Sequence, residues 1–231
     1  MRGREPPTIM KYIIDTMNFS EIAHAVRANI LPSLDYQMDA YNNKLRRYII
    51  KNKSILKEER HYFNPISYTK GNMTIHLVGC SHGAADYKLN GLTFIVYATF
   101  IYRSKLYAAM LTGLTYNEAV ILTPHMLDRY QERLDITDTT REDLILTYYK
   151  NNATTMTAQN NIPAEIYSKY NNENSIFIGV QEGAVIGETY GEHVIIAKTF
   201  VSHQLLHDNQ QKTSSTLALE LMQYNAYKYA A

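Results

Sequence analysis

The 231-residue chain carries 23 lysines and arginines against 22 aspartates and glutamates, a formal net charge of +1. No global field therefore draws it to nucleic acid or to an acidic surface, and any such attraction must come from a local patch. With 45% hydrophobic and 19% charged residues it has the balance of a folded chain with a sizeable core, and its single cysteine, Cys80, excludes an intrachain disulfide and the cysteine-rich zinc frameworks.

Twenty tyrosines stand against six phenylalanines and no tryptophan. Tyrosine must supply much of the aromatic packing, with each hydroxyl reaching water or a buried partner. The opening MRGREPPTIM leads into no continuous apolar segment, and the most apolar run, GLTFIVYATFIY, has strand length and strand composition. The expectation is a cytoplasmic protein with no membrane segment.

In chain order, Ile9, Ile13, Met17, Ile22, Val26 and Ile30 recur at helical spacing until Leu31-Pro32, where proline predicts a stop. Ser33 can cap a second helix bearing Leu34, Met38, Tyr41, Leu45, Tyr48, Ile49 and Leu56. The two predict a helical hairpin over residues 1–64. An α+β domain over 65–231 would follow it, unless the whole chain is one integrated domain. From Asn72 the period changes: MTIHLVG, LTFIVYATFIYR, KLYAAMLTGL and EAVILT are β-branched and aromatic, separated by turn residues.

A central helix begins at Thr123-Pro124, and a second follows Thr139-Thr140-Arg141-Glu142, read as a capping box. Residues 150–174 predict a loop with one short helix around AEIYSKY. SIFIGVQ, AVIGETY and HVIIAKTFVS then predict a three-strand meander, with short turns at Glu182-Gly183 and Gly191-Glu192. Gly179 and Gly187 mark bulges or close backbone approaches. A helical turn over 203–211 and a C-terminal helix over SSTLALELMQYNAYKY close the chain. The fold class expected is α+β, with antiparallel β segments and a central His/Arg helix.

That helix carries the densest chemistry. In ILTPHMLDRYQERLDI, Thr123 is a good N-cap, Pro124 takes the favoured first position, and His125 falls in the first turn. The positive end of the helix dipole disfavours imidazolium there, and a neutral histidine can accept a proton. At about 100° per residue, Leu127, Tyr130 and Leu134 share a core-facing side, while His125, Arg129 and Arg133 form a stripe on the other. Paired guanidinium forks match phosphate oxygens. The same pattern is also what an amphipathic helix presents to water.

The segment YNNKLRRYIIKNKSILKEER places Lys44, Arg46, Arg47, Lys51 and Lys53 among Tyr41 and Tyr48. It suits an RNA backbone with stacked bases, or equally a solvated helix face. His203 and His207 stand one helical turn apart, a zinc-binding spacing, but Gln204 occupies the place of the glutamate in H-E-x-x-H. A third ligand would have to come from elsewhere, such as Asp208, His82 or His193. Cys80, His82 and Asp86 have the residue types of thiol catalysis without a distinctive spacing. No phosphate-loop or dinucleotide fingerprint occurs, and the reading is a chain without metal or other cofactor.

The stretch TPHMLDRYQER, followed by a meander ending in IIAKTFVS, resembles the barnase–EndoU–colicin–RelE superfamily of small RNase toxins over residues 119–202. The resemblance implies that His125 is the acid or base, that Arg129 and Arg133 hold the scissile phosphate, and that Thr199 assists from the last strand. It implies RNA as substrate, cut without metal by attack of the 2′-hydroxyl on the adjacent phosphate, and a protein inhibitor as a partner. His193 and Glu188 are candidates for the second acid or base. The segments before residue 112 exceed the usual toxin core. They leave a second reading: a non-enzymatic interaction or structural protein of a phage or mobile element, with homo-oligomers or other proteins as partners.

Overall fold

Two side chains decide where the first helix starts. In the computed structural model, which describes residues 12–112, 116–152, 157–159 and 174–206, the Asn18 side chain accepts from the Glu21 N–H at 3.0 Å. Glu21 Oε2 in turn accepts from the Asn18 N–H at 2.8 Å. This reciprocal capping box opens α1 (Phe19–Lys51), an unbroken helix of 33 residues. Residues 12–18 precede it as non-helical chain, correcting the helical spacing read from Ile9. Asn72 holds this segment through Ile13, accepting from its N–H at 2.9 Å and donating to its carbonyl at 2.6 Å.

The helical hairpin expected over residues 1–64 is corrected, among the described residues, to this one α-helix, because Pro32 lies inside it. An internal proline costs roughly 3 kcal/mol through its missing N–H and its clash with the preceding turn. Against that, Ile22, Val26, Ile30, Leu34, Tyr41, Leu45 and Ile49 are buried along one side, each stabilising by roughly 1.5–3 kcal/mol. Packing outweighs the local stop signal. A 3-10 turn, Lys53–Lys57, follows α1.

The chain divides into two compact units, Met1–Asn117 and Glu118–Ala231. In the first, β1 (His61–Tyr62), β2 (Ile66–Lys70), β3 (Met73–Ser81), α2 (Gly83–Asn90), β4 (Thr93–Tyr102) and β5 (Lys105–Thr112) follow α1. Strand β3 is central: β1 and β2 pair with it, β4 pairs with it in the register Leu77↔Val96, and β5 continues from β4, all antiparallel. Gly79 lets α1 approach the sheet, since a Cβ there would stand 2.5 Å from Leu45 Cδ1. The β4–β5 hairpin turns through Arg103 (φ 49°) and Ser104 (φ 59°), the left-handed pair that a tight two-residue turn requires.

The second unit contains β6 (Glu118–Leu122), α3 (Pro124–Arg133), α4 (Arg141–Asn152), β7 (Thr157–Gln159), β8 (Ser175–Val180), β9 (Gly183–Thr189) and β10 (Val194–Ser202). Its sheet order is β6-β10-β9-β8-β7. The expected meander is β8-β9-β10, antiparallel throughout. It gains β7 on β8 from within the expected loop, and β6 runs parallel to β10 in the register Val120↔Ile195. Thr140, not Thr139, caps α4: its Oγ1 accepts from the Asp143 N–H at 3.1 Å and donates to Asp143 Oδ2 at 2.7 Å.

The fold is α+β. The expected helices around AEIYSKY and SSTLALELMQYNAYKY lie outside the described residues. No described helix is long and apolar enough to cross a membrane.

Candidate functional site

Helix α3 is mounted at both ends of its buried side. At its start the Thr123 N–H and hydroxyl both donate to the Ala197 carbonyl, at 3.2 and 2.8 Å. The same hydroxyl oxygen accepts from the Met126 N–H at 3.2 Å, which is the expected cap. Met126, Leu127 and Tyr130 are fully buried. The Tyr130 ring lies edge-on between Tyr148 of α4 and Phe200 of β10, each 5.1 Å away.

That packing turns the other side of α3 outward. His125 is exposed in the first turn, and Arg129 and Arg133 are half-buried at successive turns. The stripe is not purely cationic. Arg129 Nη1 donates to Glu132 Oε2 at 2.5 Å, and Arg141 of α4 is ion-paired with Asp128. Three arginines thus stand beside two carboxylates, and an anion arriving at Arg129 must compete with Glu132.

Beneath the stripe lies a polar cluster that sequence reading missed. Glu182, in the β8–β9 turn, accepts from the Tyr130 hydroxyl at 2.5 Å and from Asn152 Nδ2 at 2.9 Å on Oε2. Asn151 Nδ2 donates to Oε1 at 2.9 Å. Burial and then the hydrogen bond to Glu182 raise the Tyr130 hydroxyl above its ordinary range. Burial, with the Glu182 charge second, raises Tyr148. Only a hairpin-turn glutamate and an Asn-Asn pair at a helix end hinted at this cluster, and neither is distinctive in sequence.

The remaining predicted residues distribute as follows. Thr199 is not brought to the stripe. It neighbours Phe200, which faces Tyr130, so it points to the opposite face of the sheet. Its partner there is Ile186, which packs with Phe177, Ala184 and Leu206. Glu188 alternates with the helix-facing Val185 and Gly187 onto that same far face, and it is ion-paired with Lys198 at a bulge between Ala197 and Thr199. Gly187 makes the expected close approach, since a Cβ there would stand 2.3 Å from the Ile196 carbonyl oxygen. His193 immediately precedes β10, four residues before Ala197, a separation on the order of 13 Å in extended chain. It therefore stands away from His125.

His203 lies in a short 3-10 turn, with Nε2 3.0 Å from the Gln181 carbonyl oxygen. His207 and Asp208 lie outside the described residues. Among the described residues no three His, Cys, Asp or Glu side chains are assembled as a metal site.

In the first unit, Lys44, Arg46, Arg47, Lys51 and Lys53 are all exposed. Tyr48 is 50% exposed and available for stacking, but Tyr41 is 3% exposed, with its hydroxyl bonded to the Asn64 carbonyl. Tyr41 is a core residue and cannot stack on a base. Cys80 is buried and its thiol is pushed up to about 11. Desolvation is the main cause, which argues against a nucleophilic thiolate.

The chain matches no family model, no curated protein and no solved structure.

Proposed function

We propose that the chain is a metal-independent ribonuclease acting through the exposed stripe of α3. One arrangement carries the reading: an exposed histidine in a first helical turn, with Arg129 and Arg133 on the same stripe, on a helix whose other side is locked into a core. His125 accepts the proton of an RNA 2′-hydroxyl, and that oxygen attacks the adjacent phosphorus. Arg129 and Arg133 neutralise the charge that grows on the phosphoryl oxygens. The P–O5′ bond breaks, the 5′-oxygen takes a proton from water, and a 2′,3′-cyclic phosphate remains. Thr199, which the resemblance implied, and Glu188 and His193, the candidates for a second acid or base, have no part in this step.

The test is incubation of the purified chain with total RNA, with and without EDTA, followed by analysis of the product ends. EDTA-resistant cleavage leaving 2′,3′-cyclic phosphates supports the assignment. Cleavage abolished by EDTA moves the chemistry to a metal site, with His203 and His207 the first residues to vary.

A second reading is favoured by a separate observation. Tyr36, Ile50 and Leu89 are 74%, 68% and 73% exposed, and large apolar side chains are what partner proteins cover. In that reading the chain is a non-enzymatic interaction protein. A stable oligomer larger than a dimer in light scattering, together with no RNA cleavage, would decide for it.

A further inference from the structure

An apolar slot of about 300 Å³ opens between the end of α1, the turn Lys53–Lys57 and α2. Its walls are Ile49, Ile50, Leu56, Ala84 and the ring of Tyr87, and Lys53 and Lys57 stand at its rim. The volume is at the small end for ligand pockets.

The surroundings carry an excess of positive charge: Lys44, Arg46, Arg47, Lys51, Lys53, Lys57 and Arg60 stand against Glu58, Glu59 and Asp86. None of Lys44, Arg46, Arg47, Lys51, Lys53 and Lys57 takes part in an ion pair among the described residues. Of the acids, Glu58 is engaged with His61 at 2.8 Å and Asp86 accepts from Asn90 Nδ2 at 2.8 Å, while Glu59 is exposed. A free cationic rim around an apolar, aromatic slot complements a ligand that is flat and apolar at its centre and anionic on both sides. Lys53 and Lys57 are four residues apart on a 3-10 turn, roughly 8 Å along its axis. A nucleotide within a strand has this character, with one phosphate on each side of its base. A duplex does not offer its bases this way, whereas a single strand does.

We propose that this slot holds one unstacked base of single-stranded RNA against Tyr87 and Ile50. The flanking phosphates lie on Lys53 and Lys57, and the strand continues past Arg46, one helical turn before Ile50. The assignment rests on the reading of RNA as the substrate and adds a recognition subsite separate from the His125 stripe. The slot anchors a strand and does not take part in the cleavage step.

The experiment is fluorescence anisotropy of the full chain carrying His125→Ala, which keeps the probe intact, with a labelled single-stranded oligouridylate over a range of salt. Tyr87→Ala should weaken binding by about tenfold, the range of a lost base stack, while Tyr87→Phe retains it. An oligomer with one abasic position in every three should lose affinity for the parent and lose little more for Tyr87→Ala. The exposed pair Lys53→Gln/Lys57→Gln should lower the slope of log K against log salt by about 1.4, or 0.7 for each phosphate contact. Binding within about twofold of the parent for all these variants, with an unchanged slope, would overturn the subsite. So would self-association of the chain that Ile50→Lys abolishes, since it gives the slot to a second copy.

The two assignments fail separately. RNA binding lost on Tyr87→Ala without any cleavage by the unsubstituted chain removes the nuclease and keeps the subsite. Cleavage with binding indifferent to these variants does the reverse.

Discussion

The Tyr130 hydroxyl donates to Glu182 Oε2 at 2.5 Å, tying the buried side of the His125 helix to the β8–β9 turn. Asn151 and Asn152 also donate to this carboxylate, so α3, α4 and the turn meet at one side chain. Hydrogen bonds to a charged group contribute about 1.5–3 kcal/mol each. Tyr130→Phe, which keeps the ring packed on Phe200 and Tyr148, should cost about that much in urea unfolding at neutral pH. A loss below about 0.5 kcal/mol would mean that the cluster does not brace the helix.

The same cluster predicts an alkaline limit to stability. Tyr130 and Tyr148 are raised above their unfolded value near 10.0, mainly by burial. The neutral hydroxyl is the form the fold favours. Its contribution is complete below about pH 10 and is lost as pH rises from there towards the folded value. Melting temperature should therefore stay flat with respect to these groups up to about pH 10 and fall above it, less steeply for Tyr130→Phe. A constant melting temperature to pH 11.5 would contradict this.

Arg129 is held by Glu132 at the surface, and exposed pairs of this kind contribute between 0 and about 1 kcal/mol. Glu132→Gln should leave stability within that range while releasing Arg129 for an anion. Affinity for RNA at low salt should rise by up to about fivefold, and the gain should vanish as salt screens it. Weaker RNA binding by Glu132→Gln would argue that the stripe does not meet phosphate.

Pro32 lies within α1 without ending it. Pro32→Ala restores a helical N–H and removes a clash, together worth roughly 3 kcal/mol, partly offset by the greater freedom of the unfolded chain. The variant should be more stable by about 1–2 kcal/mol, with helical circular dichroism unchanged or slightly increased. Destabilisation would show that the local geometry at Pro32 is itself required.

What could be read from sequence follows the range of each signal. Thr123 and Pro124 state the start of α3 within four residues, and the turns at Glu182-Gly183 and Gly191 state the meander. Local chemistry suffices for both. The continuity of α1 does not follow from its own residues, because packing on a sheet more than twenty residues away outweighs a proline. The parallel pairing of β6 with β10 joins residues about seventy-five apart, with α3 and α4 between them, and nothing in EAVILT announces it. The strand that carries Thr199 is legible, but the face it occupies is not. Its face depends on the bulge at Lys198 and on which neighbour meets Tyr130. Of the candidate stripe, His125, Arg129 and Arg133 are legible from helical spacing, and so is the i,i+3 position of Glu132, whereas the pairing of Asp128 with Arg141 joins two helices and has no local signal.

The most direct test of the central claim compares the unsubstituted chain with His125→Ala on a single-stranded RNA in EDTA, under single-turnover conditions, with melting temperatures measured on the same preparations. His125 is exposed, so both proteins should melt together, and cleavage should fall by at least about 100-fold, the usual contribution of a general acid or base. Equal cleavage by two equally folded proteins would contradict the account and leave the α3 stripe without a catalytic role.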